Sequence, residues 1–151
     1  MPHEEVSLKI LFEEVCETLA DAAKLKGVSL EIIGEDGVVN GVRRLLYEVV
    51  YNLCDNAIKY NQPGGRVKVT VAQKSGEVLL SVQDTGIGIS PEHQEKVFER
   101  FYRVDKSHSR QSGGTGLGLS IVKHAVQYHH GRIILESEQN KGTTVSVILS
   151  K

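Results

Sequence analysis

The sequence has few of the residues that mark specialised classes of protein. It contains no tryptophan, two cysteines and three prolines in 151 residues, and aromatic side chains make up only 5% of it. Two cysteines are too few for a disulfide-rich secreted scaffold, so Cys16 and Cys54 are expected to be buried thiols in a reducing compartment. Because aromatic residues are scarce, the core must be built from valine, isoleucine and leucine.

Excess charge and long apolar runs are also missing. The formal net charge is -1, and no basic stripe is present that could neutralise phosphates, which argues against nucleic acid as the main partner. No apolar run is long enough to span a bilayer and no signal-peptide pattern occurs, so no membrane contact is expected for this stretch. The length suits one core, and residues 1–151 are predicted to form a single domain.

Hydrophobic periodicity predicts a mixed α+β domain. The predicted helices cover about residues 8–26, 42–61, 91–99 and 117–130, the last ended by Gly131, and the predicted strands cover 28–33, 38–41, 66–73, 77–84, 132–138 and 143–150. Residues 1–6 are interpreted as a linker remnant, and residues 103–115, which lack periodicity, as a mobile lid. This order predicts a two-layer sandwich with three long helices on one face of a mixed, mostly antiparallel sheet of about five strands.

The second long helix carries a polar stripe next to its apolar face. At helical spacing, Asn52, Asn56, Lys59 and Tyr60 fall on one side, with Glu48 at its margin. Semi-buried asparagine side chains need hydrogen-bond partners or a ligand. Two interpretations follow: the amides tie the helix to a nearby loop, or their oxygens surround a Mg²⁺ ion that is shared with phosphates.

Two glycine-rich stretches follow this helix in the chain. Gly86 and Gly88 lie in a turn after a predicted strand, and Gly114, Gly116 and Gly118 lie where the predicted lid meets the third long helix. Free N–H groups at a helix N-terminus favour anions, so the second stretch is a candidate triphosphate site. Its spacing differs from the dinucleotide-binding fingerprint. Together with the amide stripe, these stretches indicate a site for a nucleotide triphosphate and its metal.

Five motifs resemble those of one family in content and order. Residues 52–60 resemble the N box of bacterial sensor histidine kinases, and residues 84–89 resemble their first glycine box. Residues 98–105 are similar to the F box, 114–120 to the second glycine box and 141–144 to the closing box. The resemblance extends from Ser7 to the last predicted strand. It implies the catalytic and ATP-binding domain of such a kinase, with the Bergerat fold shared by gyrase, Hsp90 and MutL ATPases.

The resemblance implies ATP and Mg²⁺ as cofactors and a role for each matching residue. Asn52 and Asn56 would bind Mg²⁺, Asp84 would accept a hydrogen bond from the adenine amino group, and Tyr60 would stack beside the base. Lys59 and Arg103 would reach phosphates, Arg103 from the base of the lid. The other implied nucleotide contacts are Gly86, Gly88, Ile89, Gly114, Thr115, Gly116, Leu117, Gly118, Leu119 and Thr143.

The residue at position 52 bears on the type of reaction. In the related ATPases, the position one helical turn before the metal-binding asparagine holds a glutamate that activates water, whereas this chain has Asn52. An amide does not take up a proton at neutral pH. The hypothesis is that the site shields the terminal phosphate from water, with Asn52, Lys59 and Arg103 acting by positioning and charge stabilisation.

The phosphoacceptor of the resembled family is not evident in the sequence. Such kinases phosphorylate a histidine on a separate dimerisation hairpin, which passes the group to an aspartate of a response regulator. His3 is followed by Glu4 and Glu5 and is the candidate considered, but it lacks the family's acceptor continuation. The chain is therefore expected to be an excised catalytic domain that does not autophosphorylate alone, located in the cytoplasm within a membrane-anchored kinase.

Two alternative functions share the same expected fold. A serine kinase of the anti-sigma-factor type would carry a glutamate where Asn52 stands and would lack the stretch at residues 98–103. A nucleotide-sensing module would bind without transferring a phosphoryl group.

Overall fold

The computed structural model describes residues 2–99 and 118–151. Its strands are β1 (Glu4–Ser7), β2 (Ser29–Gly34), β3 (Val38–Gly41), β4 (Arg66–Lys74), β5 (Glu77–Asp84), β6 (Arg132–Glu138) and β7 (Gly142–Ser150). Its helices are α1 (Leu8–Lys26), α2 (Arg43–Lys59), α3 (Pro91–Gln94) and α4 (Gly118–Tyr128). The element order agrees with the sequence prediction, and the predicted lid at 103–115 lies outside the described residues.

The main sheet has five strands in the order β2-β4-β5-β7-β6. Strand β2 runs parallel to β4, and the other neighbours are antiparallel. Alternate residues of β4 and β5 are buried, including Val69, Val71 and Leu80, and each long helix contacts the sheet. This arrangement confirms the predicted α+β fold with a mixed, mostly antiparallel sheet. The core is rich in valine and leucine, as the scarcity of aromatic residues implied.

A second, two-stranded sheet lies at the start of the chain. Strand β1 pairs antiparallel with β3, from Glu4 opposite Gly41 to Ser7 opposite Val38. The interpretation of residues 1–6 as a linker remnant did not anticipate β1, in which only Val6 is buried. With one buried residue in four, β1 shows no alternation of apolar and polar residues that would predict a strand. It forms by pairing with β3, about 35 residues later in the chain.

The helix ends follow local rules with one exception. The side chain of Ser7 accepts a hydrogen bond from the Ile10 N–H at 3.2 Å, and Gly27 ends α1 with a φ of 78°. At the end of α4 the left-handed residue is His130, with a φ of 57°, and not the predicted Gly131. Gly131 is the next residue after His130, and its N–H donates to the Val126 carbonyl at 2.9 Å.

Other helix boundaries are shorter than predicted. Helix α2 stops at Lys59, α4 stops at Tyr128, and α3 stops at Gln94 and not at residue 99. Residues 95–98 continue as turns, with the Val97 N–H donating to the His93 carbonyl at 3.1 Å. Helix ends fray, so such differences of one or two residues in α2 and α4 are expected.

The two thiols differ in burial. Cys54 of α2 is buried, whereas Cys16 of α1 is only partly buried, so the prediction of two buried thiols was right for Cys54 alone. Both are free, and burial raises the pKa of each thiol above its ordinary value. Both thiols are therefore protonated at neutral pH and poor nucleophiles.

Candidate functional site

One end of the helix-covered sheet face carries a row of polar side chains. Asp84 of β5 lies opposite Thr143 of β7, and Thr143 lies opposite Ser137 of β6. Cross-strand partners share one face of a sheet, so these side chains lie close together. The Ser137 and Thr143 hydroxyl oxygens are 2.7 Å apart, and the Thr143 N–H donates to Asp84 Oδ1 at 3.2 Å. The fold thus brings together Asp84 and Thr143, two residues predicted to contact a nucleotide base.

The Asp84 carboxyl group is held by one of its oxygens. Oδ1 also accepts a hydrogen bond from the Gly86 N–H at 2.8 Å, while within residues 2–99 and 118–151 Oδ2 makes no hydrogen bond. Burial raises the pKa of Asp84 to about 6, and the two backbone hydrogen bonds offset only part of that effect. A half-buried carboxyl group with one oxygen available is suited to accept a hydrogen bond from an amino group.

The turn after β5 packs against protein backbone on two sides. A Cβ on Gly86 would overlap the Tyr60 carbonyl oxygen, which accepts the Ile87 N–H at 3.1 Å. Gly88 has a φ of 70°, and a Cβ there would overlap the Glu138 carbonyl oxygen. The sequence interpretation assigned these glycines to close approach of a base. In the structure the space beside them is filled by the end of α2 and the β6–β7 turn, which gives a packing reason for glycine at both positions.

Three residues that sequence analysis missed support this turn. The Ile89 N–H donates to the Ser137 hydroxyl at 2.7 Å, and the Gln94 amide donates to the Ile89 and Ser137 carbonyls at 2.8 and 3.1 Å. Gly142 has a φ of 134°, and a Cβ on it would overlap the Asp84 carbonyl oxygen. Gly142 lies in the closing motif at residues 141–144, so that motif could have identified it as a site residue. Ser137 and Gln94 have no local signal, because their roles arise from contacts between distant segments.

The polar stripe of α2 meets the first residue of α4. A Cβ on Gly118 would lie 3.3 Å from Asn52 Oδ1 and 3.4 Å from Asn56 Nδ2. The Asn52 amide donates to the Glu48 carbonyl at 2.7 Å, within α2, and leaves Oδ1 available. The Asn56 side chain forms no hydrogen bond with any residue in the part of the chain that the structure describes. Within the described residues neither amide ties α2 to a loop, and both interpretations of the stripe stay predictions.

The other two residues of the stripe lie at the C-terminal end of α2. The Lys59 ammonium pairs with Asp55, one turn earlier, at 2.8 Å. Tyr60 follows the helix as its half-buried C-cap residue. The assignment of Lys59 to a phosphate stays a prediction.

The described residues offer few side chains that could bind a metal ion. Across residues 2–99 and 118–151, no three His, Cys, Asp or Glu side chains form a group that could hold a metal ion. At the start of α4 the Asn52 and Asn56 amides are the neighbouring donors. Mg²⁺ usually combines one or two protein oxygens with phosphate oxygens and water, and this pair fits that pattern.

Part of the predicted site lies outside the described residues. This concerns the whole predicted lid and the named contacts Arg103, Gly114, Thr115, Gly116 and Leu117. Of the second glycine box, Gly118 begins α4 and Leu119 packs against the hydrophobic core.

Comparisons with known proteins give one consistent result. Residues 41–151 match the family described as histidine kinase-, DNA gyrase B- and HSP90-like ATPases. The sensor histidine kinase RppB of Synechocystis sp. is 42% identical over 139 residues, which cover 92% of this chain and 30% of that protein. The chain thus spans less than a third of that relative.

Solved structures share the fold. The mycobacterial sensor histidine kinase MprB superposes with a TM-score of 0.86 at 32% identity, covering 98% of this chain and 97% of that one. Full-length ShkA in complex with AMPPNP gives 0.85 at 25% identity, covering 97% and 30%. The histidine kinase ThkA in complex with the response regulator TrrA gives 0.80 at 26% identity, covering 99% and 42%.

Proposed function

This chain belongs to the family of histidine kinase-, DNA gyrase B- and HSP90-like ATPases, and we propose that it binds Mg-ATP and phosphorylates a histidine of a separate dimerisation hairpin. The resemblance to the catalytic domain of sensor histidine kinases is confirmed by the family match and by the 42% identity with RppB. Because the chain spans only 30% of RppB, the activity of the whole kinase belongs to the proposal.

The half-buried carboxyl group of Asp84 is the observation that carries the proposal. Its Oδ1 is occupied by the N–H groups of Gly86 and Thr143, so Oδ2 is the atom assigned to the amino group of adenine. Guanine carries a carbonyl at the corresponding ring position, and two acceptors facing each other would leave both unpaired in a buried site. AMPPNP, bound in full-length ShkA, is an adenine nucleotide, which supports the choice of ligand.

The metal end supplies the second half of the proposed site. We assign Mg²⁺ to Asn52 and Asn56 and the phosphates to the start of α4 near Gly118, because a helix N-terminus favours anions. When bound, Mg²⁺ would supply positive charge that neutralises the phosphate oxygens. Lys59, Arg103 and the glycine box are assigned to the same phosphates. The remaining base contacts are assigned to Tyr60, Ile89 and Thr143.

The two ends are joined by the C-terminus of α2. The Tyr60 carbonyl accepts the Ile87 N–H at 3.1 Å, one turn beyond Asn56 and beside the turn that follows Asp84. A single short connection therefore fixes the distance between the base end and the metal end. This fixed spacing is what positioning of a triphosphate requires.

Asn52 determines the proposed acceptor. It occupies the helical turn before Asn56, and its amide donates to the Glu48 carbonyl. An amide does not take up a proton at neutral pH, so Asn52 cannot act as the base that activates water. The neighbouring Glu48 carboxylate lies 3.4 Å from the Arg44 guanidinium. We therefore assign these side chains to binding and orientation, and the nucleophile to the histidine of the partner hairpin. Slow ATP hydrolysis by the isolated chain is expected, and rapid hydrolysis that depends on Glu48 would contradict this assignment.

The partners and location follow from the same proposal. ThkA forms a complex with the response regulator TrrA, and we propose a response regulator as the next acceptor after the hairpin. In residues 2–99 and 118–151, no helix has the length and apolar character of a membrane span. We place this domain on the cytoplasmic side of a membrane-anchored kinase.

Labelled ATP tests the proposal directly. The chain is incubated with γ-labelled ATP, Mg²⁺ and a separately made histidine hairpin of a sensor kinase, and the phosphorylated product is treated with acid. Acid-labile phosphate on the hairpin is expected, because phosphohistidine hydrolyses in acid. Acid-stable phosphoserine on a partner protein would indicate the serine-kinase alternative, which the relatives do not favour. Tight ATP binding without any transfer would indicate a nucleotide-sensing module.

A further inference from the structure

Helices α2 and α4 run antiparallel and touch at both ends. At one end Gly118, which begins α4, lies against Asn52 and Asn56 of α2. At the other end His129, just after α4, contacts Val42, just before α2. The contact at His129 therefore joins the end of α4 to the start of α2, at the opposite end of α4 from Gly118.

The hydrogen bonds of His129 determine its protonation state. Its Nε2 is 3.0 Å from the Val42 backbone nitrogen, which is a donor, and its Nδ1 is 2.7 Å from the Ala125 carbonyl oxygen, which is an acceptor. Nε2 must therefore carry a lone pair and Nδ1 must carry the proton. Both bonds are made only by the neutral imidazole in its Nδ1–H tautomer.

The chain before α2 is shaped to admit this ring. A Cβ on Gly41 would lie 2.6 Å from His129 Nε2 and 2.7 Å from Cδ2, so any other residue would collide with the imidazole. Val42 is the N-cap residue of α2, and it supplies no side-chain hydrogen bond. The imidazole is therefore an anchor that α4 provides for the start of α2.

We propose that His129 is a positioning residue: as a neutral imidazole it holds α4 in register with α2 and thereby places Gly118 at the Asn52–Asn56 pair. The role in ATP binding rests on the proposed function. Protonation of Nε2 would turn its lone pair into a second donor facing the Val42 N–H, which breaks the contact. Loss of the contact weakens binding of the phosphates and metal, while the base end at Asp84 is left in place.

Several titratable groups surround the ring. The His3 ring from the N-terminal segment lies 6.3 Å away between centroids, and the Tyr128 ring of α4 packs edge-on at 5.2 Å. Next to Val42, the Arg43 guanidinium pairs with Glu14 of α1.

Three variants and two ligands test the role. His129→Ala removes the acceptor, His129→Gln replaces it with a non-titrating amide oxygen, and His124→Ala is the control on the exposed side of α4. Calorimetry measures affinity for Mg-ATP and for adenosine. We expect His129→Ala to weaken Mg-ATP about tenfold, which corresponds to about 1.4 kcal/mol, with adenosine changed less than about twofold. We expect His129→Gln to restore most of the Mg-ATP affinity and His124→Ala to change neither ligand.

Histidine ring ¹⁵N shifts of the unmodified chain test the tautomer without any variant. At neutral pH we expect the Nδ1–H form for His129, in keeping with its bonds to the Val42 N–H and the Ala125 carbonyl. An Nε2–H tautomer, an imidazolium at neutral pH, or equal losses for adenosine and Mg-ATP in His129→Ala would overturn the proposal. Failure of the unmodified chain to bind Mg-ATP would instead overturn the proposed function, and the ring shifts would still report the tautomer.

Discussion

The two ends of the candidate site are built in different ways. At the base end, Asp84 accepts hydrogen bonds from Gly86 and Thr143, and the turn around Gly88 packs directly on backbone. At the metal end, Asn52 and Asn56 approach Gly118 without a hydrogen bond between them and α4 within the described residues. The polar groups of the base end are hydrogen-bonded within the fold, whereas the amide oxygens of the metal end accept no hydrogen bond within the described residues.

Substitutions at the two ends are therefore expected to differ in how much they affect folding and how much they affect binding. A change at the base end disturbs packing that holds β5, β6 and β7 together, so it affects folding as well as binding. A change at the metal end alters amides that make no hydrogen bond to α4 within the described residues, so we expect it to affect the proposed binding more than folding.

The largest expected effect is on folding at the base end. Gly88→Ala combines a left-handed φ of 70° with a Cβ that would overlap the Glu138 carbonyl oxygen. We expect a loss of about 3 kcal/mol or more in the free energy of unfolding, because backbone strain and displacement of the β6–β7 turn add. Urea denaturation monitored by circular dichroism measures this loss.

Gly76→Ala is the matched control for this change. Gly76 has a similar φ of 79° but no atom within 4 Å of the added Cβ. It should therefore lose only the conformational penalty of about 1–2 kcal/mol. Equal losses for the two variants would show that packing of the turn on Glu138 does not stabilise the base end.

The next largest effect is on adenine binding. Asp84→Asn keeps an oxygen for the Gly86 and Thr143 N–H groups but presents an NH₂ donor in place of Oδ2. Two donors would then face each other in the complex, and we expect ATP affinity to fall by about 2–3 kcal/mol, roughly 100-fold. Calorimetry with ATP and with adenosine measures the loss, which should be similar for both ligands.

The same variant should stabilise the ligand-free protein. Burial raises the pKa of Asp84 from 3.8 to about 6, so the folded state binds an extra proton between these values and its stability rises as pH falls from 6 to 4. At neutral pH the charged group costs roughly 1–3 kcal/mol, which Asp84→Asn removes. The gain should vanish below about pH 4, where the carboxyl group is protonated in both states.

Asp36→Asn provides a control of opposite sign. Although burial acts to raise the pKa of Asp36, hydrogen bonds from Ser7, Lys9 and Gly37 lower it below its usual value. Its charge therefore contributes stability above the unfolded-state pKa, and Asp36→Asn should destabilise the protein at neutral pH. Destabilisation by both variants would contradict the interpretation of Asp84.

A smaller effect is expected at the metal end. Gly118→Ala adds a Cβ 3.3 Å from Asn52 Oδ1 and 3.4 Å from Asn56 Nδ2, where the amides can give way in the absence of ligand. We expect the free energy of unfolding to change by less than about 1 kcal/mol, since alanine favours helix over glycine. Mg-ATP affinity should fall about tenfold, equal to about 1.4 kcal/mol. A loss of stability like that of Gly88→Ala would remove the contrast between the two ends.

The smallest effect concerns the end of α4. His130 holds a left-handed φ of 57°, which disfavours any residue with a Cβ. His130→Gly should therefore raise the free energy of unfolding by about 0.5–1 kcal/mol without changing ATP affinity. Thermal unfolding measures the shift. A loss of stability would indicate that the exposed His130 side chain makes a stabilising contact.

Much of the metal end could be predicted because it depends on local order in the chain. Helical spacing placed Asn52 and Asn56 on one side of α2, and the structure confirms that both face the start of α4. The caps at Ser7 and Gly27 were likewise readable from single residues. The resemblance implied that Asp84 and Thr143 both contact the nucleotide, and the sheet register places these two residues opposite each other.

The chain order therefore dictated which segments become helices and strands and which faces carry amides, since spacing along a helix or strand is a local property. Only the folded structure decided the raised pKa of Asp84, the supporting roles of Ser137 and Gln94, the pairing of β1 with β3 and the tautomer of His129. Each of these depends on burial or on contacts between segments tens of residues apart. Such contacts form only when the strand register and helix packing are complete.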